Sequence, residues 1–400
     1  MTEFTHKQRV LYSLNHKEPD RIPFEINGTC CSGIHHKAYS RLRDYLGLSK
    51  LPVKIADKYQ GRAEIDEDFI NLWDIDVMAT YIRPPQKKLS GNKDDVITKG
   101  MGITSKDWED EKYFYSEDIF GIVRRKPKEN GNYYDFYKHP LTSSSIKDLN
   151  AYCWPDPTDP AIVENLNDEI KSLNDKGYAV TLASWIAGHM WPFLTLQGYD
   201  NGYLNMAGNP KFVEAFLDKI LELELKHWEF IFDNLEIMPD VIFEGDDLAC
   251  QSGPLFSIDM INHYFKPKYQ SLYSYIKKRA PETKIVFHIC GAIRDILPML
   301  IEVGVDGVNP VQVSAAGMDD TKKLKKDFGK DIVFWGGGVD TQNILNKGTT
   351  KQVKDEVKRR IEDLGPGGGF IFTAVHNIEP DVEPQNLVAM YEAFKQYGRY

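Results

Sequence analysis

From Pro160 onward, short apolar runs alternate with amphipathic segments. The runs are YAVTLAS, DVIFEG, KIVFHIC, VDGVNP, DIVFWGG and GGFIFTA. Runs of this length predict strands buried on both faces, as in a parallel sheet. Between them, NPKFVEAFLDKILELELKHWEFIFDN, IRDILPMLIEVG, MDDTKKLKKDFG and TKQVKDEVKRRIEDLG place apolar residues at helical spacing, and several stop at glycine, a preferred C-terminal cap. Nearer the start, the pattern predicts a helix, a short strand over Arg21 to Phe24, the irregular stretch EINGTCCSG, and a helix over HHKAYSRLRDYLGL ending near Gly47. From about residue 83 to 157 the rhythm changes to short alternating segments such as GIVRRK and NYYDFY, closed by WPDPTDP. This predicts a β-hairpin-rich insertion, placed to cover the mouth of the main domain or simply solvated.

Alternating strands and helices build either a closed barrel or an open doubly wound sheet. The GxGxxG fingerprint and the P-loop are both absent, and the glycines at Gly365 precede a strand rather than open a helix. The expected fold is therefore α/β, a (β/α)8 TIM barrel, with the 400 residues forming one domain around the insertion.

Hydrophobic residues at 42% supply a large core. Lysine and arginine total 49 against 59 acids, a net charge of -10, which disfavours nucleic acid and anionic membranes as partners. No apolar run is long enough to span a bilayer and the first residues lack a signal-peptide core, so a cytoplasmic location is expected. The five cysteines (Cys30, Cys31, Cys153, Cys250 and Cys290) form no CxxC pair and no disulfide framework, which leaves a thiol available as a metal ligand.

In a barrel the reactive groups stand at the carboxyl ends of the strands. By that rule DVIF delivers Glu244, Asp246 and Asp247 as candidate catalytic carboxylates, with a solvated loop as the alternative. VDGV delivers Asn309 and Gln312, DIVF delivers Trp335, GFIF delivers His376 and Asn377, and Trp185 follows AVTLAS; Asn309, Gln312, Trp335, Asn377 and Trp185 are candidate substrate contacts. KIVF is followed by His288 and Cys290, two apart and so on one side. An imidazole and a thiolate so placed suit zinc, with His376 as third ligand; otherwise Cys290 is a buried thiol and His288 a hydrogen-bonded pocket residue. The tandem Cys30-Cys31 reads as packed rather than catalytic, and His35 and His36 as decoration of a helix start.

The stretches VFHICGAIRDILPMLIEVGVDGVNPVQ, FWGGGVDTQ and GGGFIFTAVHNIEPDVEPQN, with DRIPFEINGT and DDLACQSGPLFS, resemble the uroporphyrinogen decarboxylase superfamily over nearly the whole chain. The resemblance implies one (β/α)8 barrel and either of two activities, decarboxylation or cobalamin-dependent methyl transfer. Decarboxylases carry an arginine-rich RQAGRY-type segment after the first strand; here that region reads PFEINGTCCSG, without arginine. The methyltransferases carry H-x-C and a later cysteine; this chain has His288 and Cys290, with His376 at the place of the later cysteine. Zinc with one thiolate and two imidazoles keeps a charge of +1 (+2 minus one), which favours polarising oxygen over activating a bound thiol. The resemblance thus implies a methyltransferase that moves a methyl group between a small molecule, such as a methyl ether, and the cobalt of a corrinoid (cobalamin) on a separate protein. It leaves open a decarboxylase, a non-catalytic small-molecule-binding barrel, and homo-oligomer formation.

Overall fold

The computed structural model describes residues 4–48, 52–86, 104–186 and 188–400. Seven strands form one parallel sheet: β1 (Val77–Tyr81), β6 (Ala179–Ala183), β7 (Val241–Gly245), β8 (Lys284–His288), β9 (Gly307–Asn309), β10 (Val333–Trp335) and β11 (Phe370–Ile371), neighbours in that order. The six apolar runs became β6 to β11. The first strand, VMATY, was not among the expected ones; methionine, alanine and threonine make a weak apolar run.

The ring closes through the amino-terminal segment. Glu25 N–H donates to Phe372 O and Phe372 N–H to Pro23 O, while Asp76 N–H on the other side donates to Phe24 O. Residues 23–25 therefore stand in the eighth position, between β11 and β1. Pro23 removes a donor there, which limits this stave to an isolated bridge. The fold is a (β/α)8 TIM barrel in which one stave is irregular.

Side chains alternate along each strand. Val77, Ala179, Val241, Phe243, Val286, Val333, Trp335 and Ile371 fill the interior, and helix α1 (His6–Leu14) contributes Val10 and Leu14. The opposite faces pack against the surrounding helices, including α4 (Pro210–Asn234), which opens with proline at its first turn. Thr5 and Gln8 form a reciprocal cap at the start of α1, and Gly47 ends helix α2 (His36–Leu46) in the left-handed region at φ 67°.

Between β1 and β6 the chain forms a four-stranded antiparallel sheet: β2 (Thr104–Glu109), β3 (Tyr113–Asp118), β4 (Val123–Pro127) and β5 (Asp135–Lys138). Residues 87–103, part of the expected insertion, lie outside the described residues. The loop between β4 and β5 reaches the barrel, where the Tyr133 hydroxyl donates to Glu379. Among the described residues no helix is long and apolar enough to cross a membrane.

Candidate functional site

The centre is His288, the last residue of β8. Its Nδ1 lies 2.8 Å from Asn309 Oδ1, and the Asn309 amide in turn donates to Trp335 O at 3.1 Å. Fixing Nδ1 in this way leaves Nε2 to face the barrel mouth. Cys290 Sγ is 3.5 Å from His288 Nε2. Zinc bonds of about 2.3 Å to sulfur and about 2.0–2.1 Å to nitrogen, at a tetrahedral angle, give a ligand-to-ligand edge of about 3.5 Å. Gly245 makes the room: it pairs with His288 across the sheet, and a Cβ there would meet His288 Cβ at 2.8 Å.

Two sets of donors meet at His288. Cys31, His288 and His376 form one, and Asp247, His288 and Cys290 the other; within each set the ligand atoms lie within 4.8 Å of one another. His376 has a left-handed backbone, φ 64°, uncommon for a residue with a side chain. Burial, and then the nearby His288, lower its pKa to about 3, so the imidazole is neutral and able to ligate. Burial and then Asp247 push the Cys290 thiol up. Asp247 Oδ1 accepts from Cys290 N–H at 2.9 Å, which orders the strand end.

A cavity of about 760 Å³ opens beside these groups, lined by Cys290, His376, Gln312, Asn377, Lys347 and Tyr133 among others. Gln312 accepts from Gly291 N–H at 2.8 Å, and Asn377 Oδ1 from Gly33 N–H at 2.6 Å. Gly291 holds φ 96° where a Cβ would meet Cys250 O at 2.5 Å, so only glycine turns the chain there.

Other expected site residues lie elsewhere. Glu244 and Asp246, taken from sequence as catalytic, alternate with inward-facing Phe243 and Gly245 and so face the helix layer behind the sheet. Glu244 Oε1 accepts from Trp228 of α4 at 3.1 Å. Asp246 accepts from the N–H groups of His189, Met190 and Trp191 at 2.6–2.7 Å and from the Tyr269 hydroxyl at 2.6 Å. It holds the start of helix α3 (Met190–Gln197). Trp185 is in the same layer, donating to His227 Nδ1 at 3.0 Å, rather than in the cavity. Trp335 is fully buried in the barrel and donates to Glu25 Oε2 at 3.1 Å. Neither Trp335 nor Asn309 borders the cavity; they support the site from below.

Sequence reasoning passed over Glu25 and the position of Cys31. Glu25 is buried inside the barrel, where burial raises its pKa to about 7 against hydrogen bonds from Ser32, Trp335 and Gly28. The visible signal was a carboxylate inside the apolar stretch RIPFEI.

A family model described as uroporphyrinogen decarboxylase (URO-D) matches residues 138–397. A uroporphyrinogen decarboxylase from Pseudoalteromonas translucida (strain TAC 125) is 29% identical over 97 residues, covering 24% of this chain and 27% of that protein. The match therefore spans about a quarter of the curated relative. A solved structure described as a methyltransferase from Methanosarcina mazei superposes at a TM-score of 0.63 with 17% identity, over 99% of each chain, a likeness of fold.

Proposed function

From the premise that this chain belongs to the uroporphyrinogen decarboxylase family, we propose that it is a methyltransferase exchanging a methyl group between a small molecule and the cobalt of a corrinoid protein. The observation that carries this reading is the convergence of imidazole, thiol and carboxylate donors on His288, beside a cavity of about 760 Å³. The donor set fits zinc, with His288, His376 and a thiolate holding it; the sequence pattern offers Cys290 as that thiolate. When bound, the ion supplies Lewis acidity toward the atom that carries the methyl group.

The chain's own residues do the rest. Asn309 fixes the His288 ring, so its free nitrogen keeps one direction. Gln312 and Asn377 present amides along the cavity to orient a polar small molecule. Tyr133, from the loop between β4 and β5, borders one side of the cavity. The methyl donor is a methyl ether or a similar molecule, and the demethylated product leaves as its anion.

A decarboxylase acting on a porphyrinogen is the second reading, favoured by the family itself. Its substrate carries many carboxylates and needs a cationic clamp. The described cavity lining holds Lys347 but also Glu379 and Asp381, and residues 23–34 contain no arginine. That charge balance supports a less acidic substrate.

The test measures zinc content and methyl transfer to a corrinoid protein in wild type and His288→Ala, alongside incubation with uroporphyrinogen. Expected are one zinc per chain and methyl transfer in wild type, both lost in the variant, with uroporphyrinogen unchanged. Decarboxylation of uroporphyrinogen, or full zinc in His288→Ala, would overturn the reading.

A further inference from the structure

The metal reading above takes its thiolate, Cys290, from the sequence pattern, and Cys290 lies at a zinc-like 3.5 Å from His288; a second thiol, Cys31, stands with both imidazoles. We propose that Cys31, from the segment beside the eighth stave, is a thiolate ligand of the ion held by His288 and His376, and that Cys290 faces the substrate cavity. The inference rests on the proposal that an ion binds at His288.

Three observations converge on it. Of the two donor sets at His288, the one that contains both imidazoles contains Cys31; Cys290 belongs to the other, with Asp247. The cavity is lined by Cys290 and His376, whereas Cys31 is buried among the barrel-interior residues Val77, Phe243 and Trp335. A ligand on the closed side leaves the position toward the cavity open, which a catalytic zinc needs. A structural ion would instead draw its ligands in from all sides.

The third observation is how the Cys31 loop is held. Glu25 accepts from Gly28 N–H and from the Ser32 hydroxyl at 2.7 Å. The hydroxyls of Thr29 and Ser32 lie 2.6 Å apart, and Cys31 N–H donates to Thr29 Oγ1 at 3.2 Å. The loop is thus tied inward by a buried carboxylate, which Trp335 also anchors. Such an arrangement fixes the thiol before any ion arrives, reducing the cost of ordering it on binding.

The charge consequence is specific. One thiolate and two imidazoles again leave the ion at +1 (+2 minus one), so the preference for polarising an ether oxygen is kept while the source of the sulfur changes. Cys290, freed from the ion, remains beside the cavity as a polarisable contact for the substrate.

The test needs no corrinoid and no turnover. The full-length protein is stripped of metal and titrated with zinc(II) and with cobalt(II), whose near-ultraviolet charge-transfer absorption reports a metal–thiolate bond. Wild type, Cys31→Ser, Cys290→Ser and Cys30→Ser are compared, with circular dichroism of the metal-free proteins as the check on folding. Cys31→Ser should lose the charge-transfer band and bind zinc more than about tenfold more weakly. Cys290→Ser and Cys30→Ser should keep the band. A second variant, Cys31→Ala, serves if the serine protein misfolds. An undiminished band and affinity in a folded Cys31 variant would overturn the assignment while leaving the metal site standing. Wild-type protein that binds neither ion would overturn this inference and the metal-dependent proposal together.

Discussion

Two groups of ionisable side chains, one mostly half-buried and the other fully buried, lie on opposite sides of the sheet. In the barrel mouth, Cys31, Asp247, His288, Cys290 and His376 surround an open space beside a cavity. Behind β7, in the helix layer, Glu224, Glu244, Asp246, His189 and His227 are packed among aromatic rings, with Trp228, Tyr269 and Tyr273 around them. By chemistry alone either group resembles an active site. They differ in access and in how their polar atoms are satisfied. Asp246 meets four donors with its two oxygens, whereas His189 Nε2 lies 3.1 Å from Glu224 Oε2 but outside hydrogen-bonding angles. Burial lowers the His189 pKa to about 3 and raises that of Glu224, so both shifts disfavour the charged forms. The comparison teaches that a shifted pKa marks burial first. Function needs an approach for substrate as well, and among the described residues the cavity opens at the mouth.

The largest effect expected from this contrast is on folding. Asp246→Ala strands three helix-start N–H groups and a tyrosine hydroxyl, and should destabilise the protein by about 3–5 kcal/mol in urea unfolding. Metal bound by the fraction that stays folded should be unchanged. If zinc affinity fell instead, with stability intact, the two regions would not be separable.

A smaller effect belongs to the mouth. Asn309→Ala frees the His288 ring and should weaken zinc binding by about 10–100-fold in a competition titration. Unfolding in the absence of metal should move much less than in Asp246→Ala. Equal loss in both assays would make Asn309 a packing residue rather than a positioning one.

The smallest effect is on pH dependence. Burial, and then Asp246, raise the Glu244 pKa from 4.5 to about 8. The folded state therefore holds this proton where the unfolded chain has released it. Its stabilising contribution is complete below about pH 4.5 and is lost as pH rises toward about 8. Glu244→Gln cannot release a proton, so its stability relative to wild type should increase steadily across that window in unfolding series at pH 5, 6.5 and 8. A constant difference would mean that Glu244 is already ionised in the folded protein.

The fold was legible because strands buried on both faces leave unbroken apolar runs. KIVF and DIVF needed no partner to be recognised. VMATY escaped because methionine, alanine and threonine make a weak apolar run, whereas the stave at residues 23–25 overlaps the short strand expected over Arg21 to Phe24. The site was legible where one strand carried both groups, as with His288 and Cys290. The same two-residue alternation, applied to FEGDD, separates Glu244 and Asp246 from the face of Phe243 and Gly245. Trp185 was misplaced for a related reason, since the end of an apolar run does not say which way the next ring turns. Cys31 was beyond reach of any local pattern: it meets His376 only when the two ends of the chain close the ring.

That closure also orders events during synthesis. A stave made by residues 23–25 pairs with Phe372, so it waits for a segment that is made, together with β11, only after all the other strands of the sheet. Until then the growing sheet keeps an open edge, whose unpaired N–H and C=O groups are a template for wrong pairing.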